Sequence, residues 1–471
     1  MHQKTVFIIA ALLFIFQAAF AEEDESSIKI TPSGFSYYQI GEIEHMTPED
    51  RSLLPKTLDQ HFNGRLTLDA VIKEKIRIII GMEAQWGASI GGNDQSQLKY
   101  FMFKEAQGIY SFCDTENSTF QMSLAAGYFP FKYNPESQNL GEYLFRTGSY
   151  PGYVITDFDF PKSRLMGFNL SCTLLKNLQL NALFTSEYVE PPYFDYSLSF
   201  VAGYKFLNNI LDVGAGIDLD RLLPIKPEVT QDPSYVTDNQ NNYVIENGDT
   251  LHYTKQGTKL MGRLTFNPKP LLPFAEMLGP DDGKLYGEFA ILGTKNYGSY
   301  YPDIFQRMPV MCGFNFPTFP IITYGLVPLG LYWGIHSKND IKVLIAGGIF
   351  LVTGLGSTIA ENVWEDFVHK NLRLDILSGE IEYYGSDPAQ RPNIQTSPNT
   401  AKPDVYPVGQ PRSFTKWSFY AKKTIAKGWA IKGLIGRDHY RGLDNVGNYD
   451  ALERMNGPED WHYNLRIMYS F

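Results

Sequence analysis

The stretch WHYNLRIMYSF, which runs from Trp461 to Phe471, decides the fold class of this chain. Aromatic and aliphatic side chains occupy every second position, and mostly polar side chains occupy the positions between them. Successive side chains of a β-strand point to opposite faces, so the pattern predicts a strand with one apolar face and one polar face. A soluble protein would turn the apolar face to a core. A membrane barrel turns it to lipid and keeps the polar face for the lumen.

The same stretch closes on an aromatic residue, Phe471, with Tyr469 two positions earlier on the same face. In this it resembles the C-terminal signal strand of bacterial outer-membrane barrels. The resemblance implies that Tyr469 and Phe471 form an assembly signal, and that the partners are outer-membrane lipid and the barrel-assembly machinery. It places the protein in the outer membrane of a Gram-negative bacterium.

The first residues predict a cleaved signal peptide. Lys4 supplies a positive charge, an apolar run follows it, and Ala19 to Ala21 form a small-x-small cleavage site. We therefore expect a signal peptide over residues 1–21, a short acidic periplasmic leader over residues 22–33, and a barrel over residues 34–471. A transmembrane anchor is the alternative for the first segment.

Composition excludes several classes of protein. Removing Lys4 with the signal peptide leaves 40 basic and 51 acidic residues, a net charge of −11, which disfavours a nucleic-acid partner. The aromatic content of 14% suits the two aromatic girdles of a membrane barrel. Three scattered cysteines are too few for a disulfide framework, so we expect single thiols.

Alternation along the chain predicts an all-β, antiparallel transmembrane barrel of about 16 strands, within a range of 14–18. The predicted strands are 34–44, 60–72, 74–87, 98–112, 118–129, 163–174, 176–186, 194–206, 209–219, 257–267, 284–293, 307–316, 372–384, 414–423, 428–438 and 461–471. Bacterial barrels place short turns at the periplasm and long loops outside. The predicted connections follow this rule imperfectly, because some tight turns fall on the outer side in this count.

One connection does not fit a barrel wall. Residues 317–371 start and end on the predicted periplasmic side and contain two apolar stretches. Each stretch is long enough to cross a membrane as a helix, which needs about 17–25 residues. Three placements are open: two further strands, a plug in the lumen, or an apolar helical hairpin outside the lumen. We favour the hairpin, because both strand faces would be apolar and the predicted lumen is charged.

Charged residues on the polar faces of the strands are the predicted lumen lining. The predicted lining residues are Arg65, Asp69, Lys75, Arg77, Glu83, Lys205, Lys259, Arg263, Glu288, Glu380, Glu382, Lys432 and Arg466. Asp212 and Asp218 fall on the same faces. Because basic and acidic residues are nearly balanced, we expect no strong ion selectivity.

Catalytic and metal-binding patterns are weak. The sequence GASIG, from Gly87 to Gly91, matches a nucleophile elbow, but a turn-rich stretch follows Ser89 where that motif needs a helix. Histidines are few and scattered, so no metal or cofactor site can be drawn. The expectation is a protein that is not an enzyme and needs no cofactor or metal.

Two further segments, Ala126 to Gly152 and Leu374 to Ser386, are similar to segments of uncharacterised porin-like outer-membrane barrels of Gram-negative bacteria. The first is rich in Tyr, Phe and Gly, and either folds into the mouth as a constriction or packs on the rim. The expected function is passive diffusion of small hydrophilic solutes. The alternative is a scaffold barrel that holds a partner protein, or a second copy of itself, through residues 317–371.

Overall fold

A computed structural model gives the fold of the protein. It describes residues 28–44, 58–91, 94–113, 119–145, 154–157, 160–186, 194–223, 245–246, 249–250, 257–273, 275–291, 294, 304–318, 373–383, 415–437 and 461–471. The predicted signal peptide and nearly all of the predicted hairpin lie outside these residues.

The described residues form β-strands and four short 3-10 turns. The strands are β1 (Ile28–Glu44), β2 (Leu58–Ile72), β3 (Ile76–Gly91), β4 (Asp94–Ser111), β5 (Phe120–Phe131), β6 (Val154–Asp157), β7 (Phe160–Leu174), β8 (Leu178–Ser186), β9 (Tyr196–Phe206), β10 (Leu211–Leu223), β11 (Ile245–Glu246), β12 (Asp249–Thr250), β13 (Gly257–Phe266), β14 (Leu285–Ile291), β15 (Val310–Asn315), β16 (Ile376–Tyr383), β17 (Thr415–Ala426), β18 (Trp429–Arg437) and β19 (Trp461–Ser470). The 3-10 turns are Tyr143–Phe145, Lys269–Leu271, Ala275–Met277 and Ile304–Arg307.

Sixteen of these strands form a closed antiparallel barrel. Each ring strand pairs with the next ring strand along the chain, and β19 pairs with β1 to close the ring. The short strand β6 pairs only with β7, and β11 pairs only with β12. Beyond the last ladder residue, the Phe471 N–H donates to the Gly34 carbonyl at 3.0 Å, and the Gly34 N–H donates to the Phe471 carbonyl at 3.1 Å. Phe471 is therefore a part of the pairing between β19 and β1 that closes the ring, which we call the seam.

The two ends of the barrel differ in their connections. The tight turns around residues 73–75, 175–177, 207–210 and 427–428 all lie at one end, which we call the turn end. Residues with positive φ, such as Lys73, Lys176 and Asn208, make these reversals short. A tight connection also lies at the other end, as expected, because β3 ends at Gly91 directly opposite Asp94, the first residue of β4.

The outer surface of the barrel is apolar and aromatic. Large apolar side chains on the strands are exposed, among them Phe62, Trp86, Phe101, Phe103, Phe168, Phe200, Leu264, Phe289, Leu465 and Ile467. The residues between them in sequence, such as Asn63, Gln85 and Arg466, are buried on the inner face. This is the reverse of a soluble protein and suits a surface in contact with lipid. No helix among the described residues is long and apolar enough to cross a membrane.

The predicted leader needs correction at its end. Strand β1 begins at Ile28, and its first residues pair with β2, from Ile28 opposite Ile72 to Ser33 opposite Thr67. Residues 28–33 therefore belong to the barrel, because β2 is long enough to offer backbone partners to them. The three cysteines are free thiols, as expected.

The seam generates a first prediction. Tyr469 and Phe471 lie on the outer face, and the Tyr469 ring packs 5.0 Å from the Trp429 ring across the β18–β19 pair. Replacing both Tyr469 and Phe471 by Asp puts charge on the lipid face and removes this contact, so we expect heat-modifiable migration on gels to be lost.

The control is Ser470→Asp, which adds one negative charge on the opposite face of the same strand and should leave heat-modifiable migration intact. Normal folding of the Tyr469→Asp, Phe471→Asp variant would show that the seam tolerates a polar outer face.

Candidate functional site

The loop that follows β5 crosses the interior of the barrel. We call its described part, residues 132–145, the inner segment. It leaves β5 and forms hydrogen bonds with Glu380 of β16, which lies eight strands away in a ring of 16. Eight strands is half of the ring, so the inner segment reaches the wall opposite its origin.

The alternation of β14 shows that this contact is on the inside. Tyr286, Glu288 and Ala290 are buried, whereas Leu285 and Phe289 between them are exposed on the outer face. The inner segment bonds to Glu288. Of the two placements left open by the sequence, a constriction or a rim loop, the structure has residues 132–145 inside the barrel.

Glu380 holds the middle of the inner segment through backbone N–H groups. Its Oε2 accepts from the N–H of Asn139 and of Leu140, each at 2.8 Å, and its Oε1 accepts from the N–H of Gln138 at 2.5 Å. The Tyr286 hydroxyl donates to Oε1 at 2.9 Å. Hydrogen bonds to an ionised acceptor are among the stronger ones in proteins, and here one side chain collects four of them.

Glu288 and Glu142 hold the two ends of the inner segment together. Glu288 accepts from the Tyr133 hydroxyl at 2.5 Å, the Asn134 amide at 2.9 Å, and the N–H groups of Glu142 and Tyr143 at 3.0 Å each. In return Glu142 accepts from the N–H groups of Tyr133 and Asn134 at 3.1 and 2.6 Å. The inner segment thus satisfies its backbone on carboxylates in place of a strand partner.

Gly141 makes the close approach to the wall possible. Its φ is +90°, and a Cβ there would lie 2.8 Å from Met311 Cε and 3.0 Å from a Glu288 oxygen. A side chain at this position would be strained and would push the inner segment off β14 and β15.

Apolar packing supports the same placement. Leu140, Tyr143 and Leu144 of the inner segment have no exposed surface. They belong to a cluster with inward residues of the wall, which are Leu165, Leu183, Val201, Met261, Tyr286, Ala290 and Met311. Six of the seven ring strands from β7 to β15 therefore contribute to an apolar inner layer under the inner segment. Burial of this kind stabilises the docked position by about 1.5–3 kcal/mol per large side chain.

The inner segment also reaches the turn end. The Glu136 carboxylate lies 2.9 Å from the Lys284 ammonium, and Lys284 also pairs with Asp281 at 2.8 Å. Lys284 directly precedes β14, in the connection of residues 267–284. The inner segment therefore runs from the loop end almost through the barrel.

Carboxylates dominate the electrostatics of this site. Glu142, Glu288, Glu380 and Glu382 are all buried around one short segment. Burial raises the pKa of Glu142 well above its ordinary value, and the charge of Glu288 adds to the shift. Burial likewise raises the pKa of the Tyr133 phenol, with the same carboxylate as the next cause. Both groups are in the inner segment, where burial favours their neutral forms.

Four of the other predicted lumen residues, Arg65, Glu83, Lys259 and Arg263, lie on the inner wall in ion pairs. Such pairs are Arg65–Glu105 at 3.1 Å, Lys104–Glu83 at 3.2 Å, Lys259–Asp218 at 3.7 Å and Arg263–Asp212 at 3.1 Å. Arg466 donates to the Gln39 amide oxygen at 2.8 Å and stacks on the Tyr37 ring. Each of these four ion pairs joins one basic and one acidic side chain of the inner wall.

The remaining predicted residues divide between the wall and the turn end. Lys432 is 5% exposed on the inner face of β18. Arg77 and Asp69 pair with each other near the turn end, with 2.9 Å between Nε and Oδ1. Lys205 is exposed at the end of β9, and Lys75 lies in the turn between β2 and β3. The site around the inner segment includes only Glu288, Glu380 and Glu382 of the predicted set.

Sequence reasoning missed several residues of the site. A β-bulge in β4 opposite Gly81 and Met82 turns both Lys104 and Glu105 inward, which strict alternation cannot show. Tyr133, Asn134 and the Glu142 carboxylate were also missed, although the density of Tyr, Phe and Gly drew attention to their loop.

Comparison with known proteins adds little to this geometry. No protein-family model and no curated protein matches the chain. OprB of Pseudomonas putida has a TM-score of 0.43 at 7% identity, covering 94% of each chain. OmpT, an outer membrane protein of Vibrio cholerae, has a TM-score of 0.43 at 9% identity, covering 96% of this chain and 99% of its own. OprD of Pseudomonas aeruginosa has a TM-score of 0.36 at 8% identity, covering 93% of each chain. The fold rests on the strand pairing described above.

Within the described residues, no group of three or more His, Cys, Asp or Glu side chains could hold a metal ion. The geometry gives an inner segment that occupies part of the barrel interior and is held there by the buried Glu288 and Glu380.

Glu380 provides a second prediction. Glu380→Ala leaves three backbone N–H groups and the Tyr286 hydroxyl without their acceptor, so docking of the inner segment should weaken by about 2–4 kcal/mol. Limited proteolysis of the folded barrel should then cut within residues 132–145. Ser378→Ala, one inward position away, removes one hydroxyl and is the control. An uncut inner segment in Glu380→Ala would show that the apolar layer alone holds it.

Glu142 provides a third prediction, on pH. Its pKa is raised in the folded protein, so the docked state is most stable below the ordinary carboxyl pKa and loses stability as pH rises through the raised value. Alkaline pH should therefore increase proteolysis of the inner segment. Glu142→Gln keeps the oxygen that accepts from Tyr133 and Asn134 and should flatten this dependence. Glu136→Gln, in the exposed ion pair, should not. An unchanged pH profile in Glu142→Gln would assign the titration to another group.

Proposed function

We propose that the protein is an outer-membrane channel for passive diffusion of small hydrophilic solutes, with its bore narrowed by the inner segment. The observation that carries the proposal is a closed ring of 16 strands with an apolar outside and a polar, ion-paired inside. Barrels of 16–18 strands enclose a width that water and small solutes can fill. A closed ring with no free edge is also one of the two folds that cross a bilayer.

Weak ion selectivity is a part of the proposal. On the inner wall, Arg65, Lys104, Lys259 and Arg263 each have a carboxylate within 4 Å. Paired charges give a smaller field along the bore than a ring of one sign. Size and polarity of the solute would then decide passage more than its charge.

A scaffold barrel that holds a partner protein is the second candidate. Inner side chains far from the inner segment are also buried, with Gln39 and Asn63 at 2%, Glu83 at 4% and Arg466 at 6% exposure. Side chains on the wall of a wide water-filled bore would be more exposed than this. The burial favours a barrel whose middle is closed at rest.

Single-channel recording is the fourth prediction and separates the two candidates. Purified, heat-modifiable barrel in a planar bilayer should give discrete conductance steps, with a cation-to-anion permeability ratio within about threefold of one. Glu380→Ala should enlarge or destabilise the steps, since it frees the inner segment. If neither the unmodified protein nor Glu380→Ala gives conductance steps although both are folded, the channel function is rejected and the scaffold function is favoured.

A further inference from the structure

The two described residues that border residues 319–372 touch each other. Thr318 ends the described chain after β15, and Arg373 resumes it before β16. The Arg373 Nε donates a hydrogen bond to the Thr318 hydroxyl oxygen at 2.8 Å, and Thr318 has no exposed surface. The 54 residues 319–372 therefore begin and end next to two residues that are in contact.

A third residue, Asp282, joins this contact from another connection. One of its oxygens accepts from Arg373 Nη2 at 2.8 Å, and from both the N–H and the hydroxyl of Thr318 at 3.1 Å each. The Gly279 N–H donates to the same oxygen at 2.8 Å. Asp282 is 1% exposed and lies in the connection between β13 and β14.

The surroundings hold Arg373 in this position. The Lys423 ammonium donates to the Arg373 carbonyl at 2.5 Å, which ties its backbone to β17. A Cβ at Gly279 would lie 3.0 Å from Arg373 Nη2, so the glycine leaves space for the guanidinium. Breaking a buried ion pair of this kind leaves an uncompensated charge and costs more than an exposed pair.

The wall of the barrel is complete without residues 319–372. The β15–β16 ladder runs from Val310 opposite Tyr383 to Asn315 opposite Ser378. The Phe316 N–H then donates to the Leu377 carbonyl at 2.7 Å, directly before the Thr318–Arg373 contact. The backbone pairing of the ring is thus satisfied up to the point where the 54 residues begin.

We propose that Asp282, Thr318 and Arg373 form an anchor that holds the two ends of residues 319–372, which we call the module, together at the turn end, and that the ring of strands closes without the module. The sequence of the module contains two apolar stretches, which need a nonpolar surrounding. The proposal does not depend on whether the barrel conducts.

Replacement of the module is the first arm of the test and the fifth prediction. Residues 319–372 are exchanged for a Gly-Ser linker of about six residues, which spans up to about 20 Å. The chain should still give a heat-modifiable barrel in amounts within about twofold of the intact protein, because ring pairing ends before the module. Failure of this variant to form the barrel overturns the proposal.

The anchor itself is tested with Asp282→Asn in the intact chain and in the linker chain. Asp281→Asn is the matched control, since Asp281 is the neighbouring acid and pairs with Lys284 instead. In the intact chain, Asp282→Asn should raise the rate of proteolysis next to Thr318 or Arg373 by about tenfold, and Asp281→Asn should not. In the linker chain, Asp282→Asn should change little, because a short linker already holds the two ends together. If Asp282→Asn has equal effects in both chains, the contact stabilises the barrel wall and is not an anchor. If its effect in the intact chain is no larger than that of Asp281→Asn, the proposal of an anchor is rejected.

Discussion

Backbone hydrogen bonding in a nonpolar surrounding is the constraint on which the rest of the structure depends. A strand in contact with lipid has no water to satisfy its N–H and C=O groups, so every edge must find a partner. The pairing of β19 with β1, extended by the contact between Phe471 and Gly34, removes the last edge. Once the ring is closed, the alternation of side chains separates an apolar outside from a polar inside.

The inner segment obeys the same constraint by other means. It lies inside the ring without a strand partner, and its N–H groups are satisfied by Glu288 and Glu380. Carboxylates that accept several N–H bonds hold a short segment firmly, but their burial in one place carries an electrostatic cost. The inner segment is therefore held by several hydrogen bonds, and the same burial raises the pKa of its Glu142 carboxyl.

Charges elsewhere on the inner wall are mostly paired across strands. Arg65 reaches over β3 to Glu105, and Lys104 pairs with Glu83 because a bulge turns it inward. At the turn end, Lys284 joins the tip of the inner segment to the connection that also contains Asp282. The connection of residues 267–284 thus contacts the inner segment through Lys284 and contacts Arg373 through Asp282.

The sequence by itself determined the barrel. Alternation with period two needs only neighbouring residues, so it predicted 16 strands, their approximate bounds, and the lipid-facing row that ends in Phe471. It also found the carboxylates of β14 and β16. Tertiary structure alone decided what those carboxylates bind, because Glu380 and Leu140 are distant in sequence and meet only across the closed ring. The bulge at Lys104 and the anchor of Asp282, Thr318 and Arg373 had no sequence signal for the same physical reason. Each depends on atoms from separate strands or connections, and no local periodicity records which of them the closure of a ring will bring together.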